Sequence, residues 1–198
     1  NPGDDFLSTL ILAEDQGSKL SNLEMCALVG AVLGAGSDTA VDLHSYLIKN
    51  LLQHPEEFES LKDDPGLVQG AISETLRYES SGKTGLARYA SEDLEINGNH
   101  VKKGQMVQLI TSTAGMDSSI YNDPRKFNIQ RDHDKSISFG QGPHYCIGVT
   151  LVRSQTEVML KELFKRFPNL SLGDEIVYDY NHHNARRMDV MTVNTNLS

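Results

Sequence analysis

From Met25 to Ala35 the chain carries an almost unbroken apolar run (Met25, Ala27, Leu28, Val29, Ala31, Val32, Leu33, Ala35), and nothing else in it constrains the fold as strongly. Ser21 and Glu24 precede the run at the spacing of a capping box, in which each side chain satisfies a backbone amide left free by the first helical turn. The next helix breaker is Pro55. The spacing therefore predicts one helix of roughly 30 residues, ~45 Å long at ~1.5 Å per residue. Its first half is apolar on every side and needs protein all round it, so it is expected to pass through a core; its later part turns amphipathic. The longest uncharged stretch, Met25 to Ser37, falls short of the ~20 residues that span a bilayer. No basic-then-apolar leader opens the chain at Asn1-Pro2, and the missing initiator Met fits a processed product or a piece of something longer.

Around this helix the pattern is mostly helical. Asp4 and Asp5 open a short amphipathic segment (Phe6, Leu7, Leu10, Ile11) expected to end at Gln16-Gly17. Pro55 suits the first position of a charged helix through Leu61, and Asp64-Pro65 opens another through Tyr78. From Leu86 the period changes: Leu86–Ala90, Leu94–Ile96 and Gln105–Thr111 read as strands, with Asn97-Gly98 as a hairpin turn. Asp117 to Tyr145 is rich in turn formers and long for a structureless loop, which makes it a candidate for function. A last helix is predicted from Cys146 to Phe167, with Ile147, Leu151, Val158, Leu160 and Phe164 among its apolar positions and Pro168 as its stop. Short strands are expected around Ser171 and Met188–Val193. The sum is a mainly α (α+β) class with a small sheet and no internal repeat.

With 38% hydrophobic and 23% charged residues over 198 positions, the composition is that of a globular domain. Twenty-seven acids against 18 bases leave a net charge of −9, without any run of five or six Lys or Arg. That balance excludes nucleic acid and anionic membranes as partners, since both need concentrated positive charge. Cys26 and Cys146 stand far apart, so neither a disulfide framework nor a multi-cysteine metal site is indicated, and a reducing, cytoplasmic compartment is expected.

Three glycines, Gly30, Gly34 and Gly36, interrupt the apolar helix, although each costs about 1 kcal/mol relative to Ala. Close helix packing and a ligand approaching the backbone are the two readings. Asp38-Thr39 then places a carboxylate and a hydroxyl where each must find a partner or a water, and the Thr hydroxyl can bond back to a carbonyl one turn earlier, deforming the helix. Glu74 and Arg77 lie i, i+3 and could pair; alone, such a pair is usually a surface pair of little worth. The segment Phe139-Gly140-Gln141-Gly142-Pro143-His144-Tyr145-Cys146-Ile147-Gly148 is the most informative. It is no dinucleotide fingerprint, because Tyr145 stands where the last Gly is needed, and no Lys-Ser/Thr follows for a phosphate loop. It sets Cys146 at the mouth of a helix, where the dipole and amide donors favour a thiolate that either attacks or binds metal. His144 could serve as a base for a nucleophile, but neighbours two apart give poor geometry. Cys26 is expected to be an inert core residue, and His182-His183 to be exposed loop side chains rather than metal ligands.

Phe139 through Gly148 resembles the haem-binding loop of the cytochrome P-450 superfamily, the haem-thiolate monooxygenases, in its soluble bacterial form. Ala35-Gly36-Ser37-Asp38-Thr39 resembles the Ala/Gly-Gly-x-Asp/Glu-Thr of that family's long central helix, and Glu74-Thr75-Leu76-Arg77 its Glu-x-x-Arg. Arg88 before Glu92-Asp93, Asn122-Asp123-Pro124 and Phe127-Asn128-Ile129-Gln130-Arg131 follow in the family's order. The likeness covers essentially all 198 residues but only the carboxyl-terminal half of such a protein. It implies a single partial domain, 1–198, whose amino-terminal half is absent. Gly115-Met116 departs from a usual Asn-Arg pair, Val152 from Ala and Gln155 from Glu.

The resemblance implies haem b, with Cys146 as the proximal iron ligand whose thiolate favours O–O cleavage. Phe139 packs beside it, and Gly140, Gly142 and Gly148 keep the loop near the porphyrin. His144 and Arg88 bind propionates. Ala35 and Gly36 leave room for oxygen, while Asp38 and Thr39 deliver protons. Glu74, Arg77 and Arg131 form a buried structural triad, and Gly82-Lys83-Thr84-Gly85 and His182-His183 line a substrate pocket. The implied activity inserts one oxygen atom of dioxygen into a small lipophilic substrate. Electrons come from a ferredoxin or flavoprotein, for which Arg153, Lys161, Lys165 and Arg166 offer a cationic face. The alternative is a truncated, non-catalytic half-domain that binds haem at most. It would pack against a partner, a second copy or a separate amino-terminal half, through the apolar surface the missing half leaves bare.

Overall fold

Asp5 opens the first helix by accepting a hydrogen bond from the Ser8 amide at 2.8 Å, and α1 then runs over Phe6–Leu12. The computed structural model describes residues 2–15, 18–82, 85–181 and 185–196. The helix stops at Leu12, short of the expected Gln16-Gly17, which lies outside the described residues; two antiparallel strands of two residues each, β1 (Glu14–Asp15) and β2 (Ser18–Lys19), follow instead. The capping box forms as the spacing requires: the Ser21 amide donates to Glu24 Oε2 at 2.9 Å, and the Glu24 amide to Ser21 Oγ at 3.3 Å. From it α2 extends over Asn22–Gln53.

The chain divides within α2 into two compact units, 1–41 and 42–198. In the first, the expectation of a helix threading a core is overturned. Leu33 is 65% exposed and Leu23 80%, Ser8 is the single buried side chain among the described residues, and Cys26 is exposed rather than an inert core thiol. The reason is arithmetic of neighbours: α1 and these two short strands cannot cover a helix that is apolar on every side. A Cβ added to Gly30, Gly34 or Gly36 would meet nothing within 4 Å, so close packing does not account for these glycines in this unit.

In the second unit α2 turns amphipathic as expected. Leu43, Leu47 and Leu51, four apart, face α3 (Pro55–Asp63), α4 (Val68–Tyr78) and α6 (Val149–Arg166). Pro55 stands at the first position of α3, which buries Phe58 and Leu61, and α4 buries Val68, Ala71 and Ile72. Leu160 of α6 and Phe127 and Ile129 of the long loop complete this core. The strands are short antiparallel pairs. β3 (Leu86–Tyr89) pairs with β6 (Met106–Leu109), and β4 (Leu94–Ile96) with β5 (Asn99–Val101), a strand the sequence pattern did not reveal. Their turn puts Asn97 and Gly98 at φ 47° and 80°, the left-handed pair that a two-residue hairpin needs. A four-residue helix, α5 (Thr111–Ala114), replaces the end of the expected third strand. β7 (Ser171–Asp179) and β8 (Arg187–Asn194) form a longer hairpin than the pattern suggested.

By length and composition α2 is, among the described residues, the one helix apolar enough to cross a membrane, so its 13-residue uncharged stretch understated it. Asp42, Lys49 and Asn50 are buried in its later part, in the second unit.

Candidate functional site

Between Asp117 and Tyr145 the backbone is irregular, yet two guanidinium groups hold it. Arg77 of α4 donates to the carbonyls of Gly115 (2.7 Å), Pro124 (2.8 Å) and Lys126 (3.2 Å); Arg131 donates to those of Asn122, Asp123 and Lys126. Both also meet Glu74. Arg77 forks onto its two carboxylate oxygens at 2.7 Å each, and Arg131 Nε reaches Oε1 at 3.3 Å. Glu74 has no exposed surface and accepts a further bond from the Asn128 amide at 2.8 Å. The reading of Glu74 and Arg77 as a weak surface pair therefore does not hold: the carboxylate is buried, and its lone pairs are filled. Sequence reasoning missed His133, whose Nε2 lies 3.7 Å from Glu74 Oε2 and whose two ring nitrogens are buried without a hydrogen bond. No local spacing could have signalled it.

The ordered loop delivers the segment ahead of α6. Gly140 and Gly142 take φ of 77° and 65°, values that an L side chain rarely adopts, and a short 3-10 turn covers Gly142–His144. These kinks fold the segment back on itself, so that the Cys146 amide donates to the Phe139 carbonyl at 2.9 Å. α6 starts at Val149 rather than at Cys146, which leaves the thiol in the loop, three residues ahead of the helix. Cys146 is half-exposed and free, and a Cβ on Gly148 would sit 3.9 Å from its Sγ. The thiol is flanked in sequence by Tyr145 and by Ile147, which is 94% exposed; Leu151, one turn on, is exposed as well. Phe139 packs against the core, with the Arg153 guanidinium 5.6 Å from its ring centre. No hydrogen bond joins the His144 ring to Cys146, so the nucleophile-and-base reading has no geometric support.

The structure thus gathers Cys146, Phe139, Gly140 and His144 in one loop. Arg88 lies on exposed β3, its guanidinium donating to the Ala87 carbonyl at 2.9 Å. Ala35, Gly36, Asp38 and Thr39 lie on α2 in the first unit. There the Thr39 hydroxyl donates to the Ala35 carbonyl at 2.5 Å, the expected back-bond, and α2 stays α-helical through it without the expected deformation. Lys83-Thr84 and His182-His183 lie outside the described residues.

The cytochrome P450 family model matches residues 66–178, more than half of the chain. The chain belongs to the cytochrome P450 family. It is 39% identical to the epothilone C/D epoxidase of Sorangium cellulosum over 189 residues, which cover 96% of this chain and 45% of that protein. It is 36% identical to cytochrome P450 107B1 of Saccharopolyspora erythraea, covering 87% of this chain and 42% of the relative. The structure of epothilone D-bound cytochrome P450epoK superposes with a TM-score of 0.92 at 39% identity, over 98% of this chain and 48% of that one. The fold is that of a cytochrome P450, and the chain spans less than half the length of these relatives.

Haem b is the cofactor of this family, and the donor set fits it. Among the described residues no three His, Cys, Asp or Glu converge as a metal cage. One half-exposed thiol, held by its own amide in a glycine-kinked loop beside apolar surface, is a sufficient protein ligand where a macrocycle supplies the rest.

Proposed function

We propose that this chain is the haem-thiolate half of a soluble, cytoplasmic P450 monooxygenase that inserts one oxygen atom of dioxygen into a lipophilic small molecule. The observation that carries the reading is the Cys146 loop, with its thiol presented at the mouth of α6 and its amide tied to Phe139. When bound, haem supplies the activation of dioxygen. Cys146 would hold its iron through the thiolate, and the Cys146 amide bond to Phe139 holds the loop that carries the sulfur. Arg88 and His144, both exposed, supply donors for propionates. On α2 the Thr39 hydroxyl spends its proton on the Ala35 carbonyl, so its oxygen is left to accept a hydrogen bond; Asp38 carries protons to that point. Relatives are named an epothilone C/D epoxidase, a 6-deoxyerythronolide B hydroxylase and a polyketide biosynthesis cytochrome P450, which supports a polyketide as the substrate class.

Electrons come from an acidic ferredoxin or a flavoprotein docking on α6. Arg153 is half-buried against Phe139 and Arg166 pairs with Glu162 at 3.3 Å, so Lys161 and Lys165 carry more of that encounter than their neighbours.

A second reading, a non-catalytic half-domain, is favoured by the bare first half of α2. The two readings separate in one experiment. The purified chain is reconstituted with haem, reduced and exposed to carbon monoxide. The thiolate-ligated Soret band is expected for wild type and lost in Cys146→Ala. Its persistence in the variant would remove Cys146 as ligand. Haem uptake without turnover, when electrons are supplied by dithionite or a surrogate ferredoxin, would favour the half-domain.

A further inference from the structure

We propose that Glu79 is a positioning residue: it anchors a charged clamp that fixes the register of residues 79–82 against 185–187, and with it the substrate pocket on that side. The pocket clause rests on the monooxygenase reading above.

Glu79 caps α4, its amide donating to the Thr75 carbonyl at 2.9 Å. Its carboxylate receives two cations from distant parts of the chain, Lys49 Nζ from α2 and Arg186 Nη2 from the residue before β8. Lys49 is almost wholly buried, and its ammonium also donates to the Tyr178 hydroxyl of β7 at 3.3 Å. Arg186 is gripped twice by Tyr46: its Nε donates to the Tyr46 hydroxyl at 3.0 Å, and that hydroxyl donates to the Arg186 carbonyl at 2.8 Å. The rings of Tyr46 and Tyr178 stack with centroids 6.4 Å apart, and both cations lie within 6 Å of each ring. Two positive groups share one carboxylate here, so removing it leaves both charges poorly compensated.

The clamp acts on backbone. The Arg186 amide donates to the Ser81 carbonyl at 2.7 Å, and Gly82 forms an isolated antiparallel bridge with Ala185. A lone bridge is weakly specified, because a slip of one residue exchanges its faces with little loss of pairing. The side chains around Glu79 are what prevents that slip. Gly82, bridged to Ala185, opens the segment that the family resemblance assigns to the substrate pocket, so the clamp sets the frame from which that segment leaves.

The test uses Glu79→Gln in the full chain, read by hydrogen–deuterium exchange. Exchange at the Arg186 amide is expected to accelerate at least about tenfold, while peptides of α4 from 71 to 77 keep their protection. If Glu79→Gln does not fold, Tyr46→Phe removes both hydrogen bonds of the Tyr46 hydroxyl to Arg186 while leaving the Glu79 carboxylate in place, and is expected to accelerate the same amide about threefold. In haem-loaded protein, the ratio of dissociation constants for imidazole and 4-phenylimidazole, followed by the Soret shift, is expected to change by about fivefold or more as the pocket loses its register. Unchanged exchange at Arg186 overturns the clamp. Faster exchange with an unchanged ratio overturns its role in the pocket. A wild-type chain that takes up no haem sinks the monooxygenase reading instead, and the exchange result alone then decides the clamp.

Discussion

Glu74 shows what one buried charge demands. A carboxylate with no exposed surface is tolerated because Arg77, Arg131 and the Asn128 amide fill its acceptor positions. Arg77 in turn satisfies three loop carbonyls that have no strand to pair with. Arg77→Ala is therefore expected to destabilise the chain by about 3–5 kcal/mol, since a charge and several carbonyls are stranded together. Arg77→Lys should rescue little of it, because an ammonium cannot fork. Urea midpoints measure both, and a fall of under about 1 kcal/mol in Arg77→Ala would show the triad to be dispensable. The histidines make a pH prediction. Burial, the largest influence in each case, holds His44 and His133 below the usual imidazole value, with Glu74 partly opposing it at His133. The unfolded chain then takes up protons first as pH falls, so stability present above about pH 6.5 is lost progressively below it. His44 Nε2 is 2.9 Å from the Thr156 hydroxyl, which itself donates to the Val152 carbonyl, so the ring donates here and must be protonated at Nε2. A urea midpoint lower near pH 5.5 than near pH 7.5 is expected, with the difference reduced in a His44→Gln, His133→Gln double variant. A midpoint that rises on acidification contradicts it.

At the level of helices and loops, the glycines divide by what stands opposite them. A Cβ at Gly115 would lie 2.5 Å from the Arg77 carbonyl oxygen, so the loop after α5 approaches α4 more closely than any side chain allows. The departure from the family's usual Asn at this position is thus built into the packing. Gly115→Asn, a change toward the family pattern, is expected to destabilise by about 1–3 kcal/mol through overpacking. Gly34→Ala, with open space around the new methyl, is expected to strengthen α2 by up to about 1 kcal/mol. Thermal melts of the two variants should move in opposite directions; a neutral Gly115→Asn would mean that the loop yields. This contrast also marks the limit of what was legible in the sequence. Caps and periodicity are local, so Ser21, Glu24, Pro55 and the leucines of α2 announced their helices within a residue or two. The Cys146 loop was legible because its glycines, its cysteine and its following helix are contiguous. The environment of a helix is not local: the apolar run from Met25 to Ala35 specifies a helix and a need for cover, but not that cover is supplied. The clusters around Glu79 and His133 were unreadable for the same reason, since Arg186 lies 107 residues from Glu79 in sequence and no pattern of short period links them.

For the chain as a whole, the apolar surface left in water decides its behaviour in solution. Leu23, Leu33 and Val41 on α2, Phe6 and Leu12 on α1, and Ile147, Leu151 and Val158 around α6 are all largely exposed. At about 25 cal/mol per Å² of apolar surface removed from water, covering even part of this area outweighs the loss of freedom on association. Charge resists it only modestly, because −9 is spread over a long chain and is screened within about 8 Å at physiological salt. The chain is therefore expected to self-associate at micromolar concentration and to bind a hydrophobic dye such as ANS while retaining its helical circular dichroism. Light scattering after size exclusion should return a mass above that of one chain, increasing with salt as charge is screened. The double variant Leu33→Gln, Val41→Gln changes only exposed positions of α2, so it should keep its helicity and shift toward monomer. A wild-type chain that stays monomeric and dye-free at all salt concentrations would mean that α2 is covered in solution by the chain itself. An association unchanged by the double variant would place the sticky surface around Ile147 and Leu151, beside the thiol.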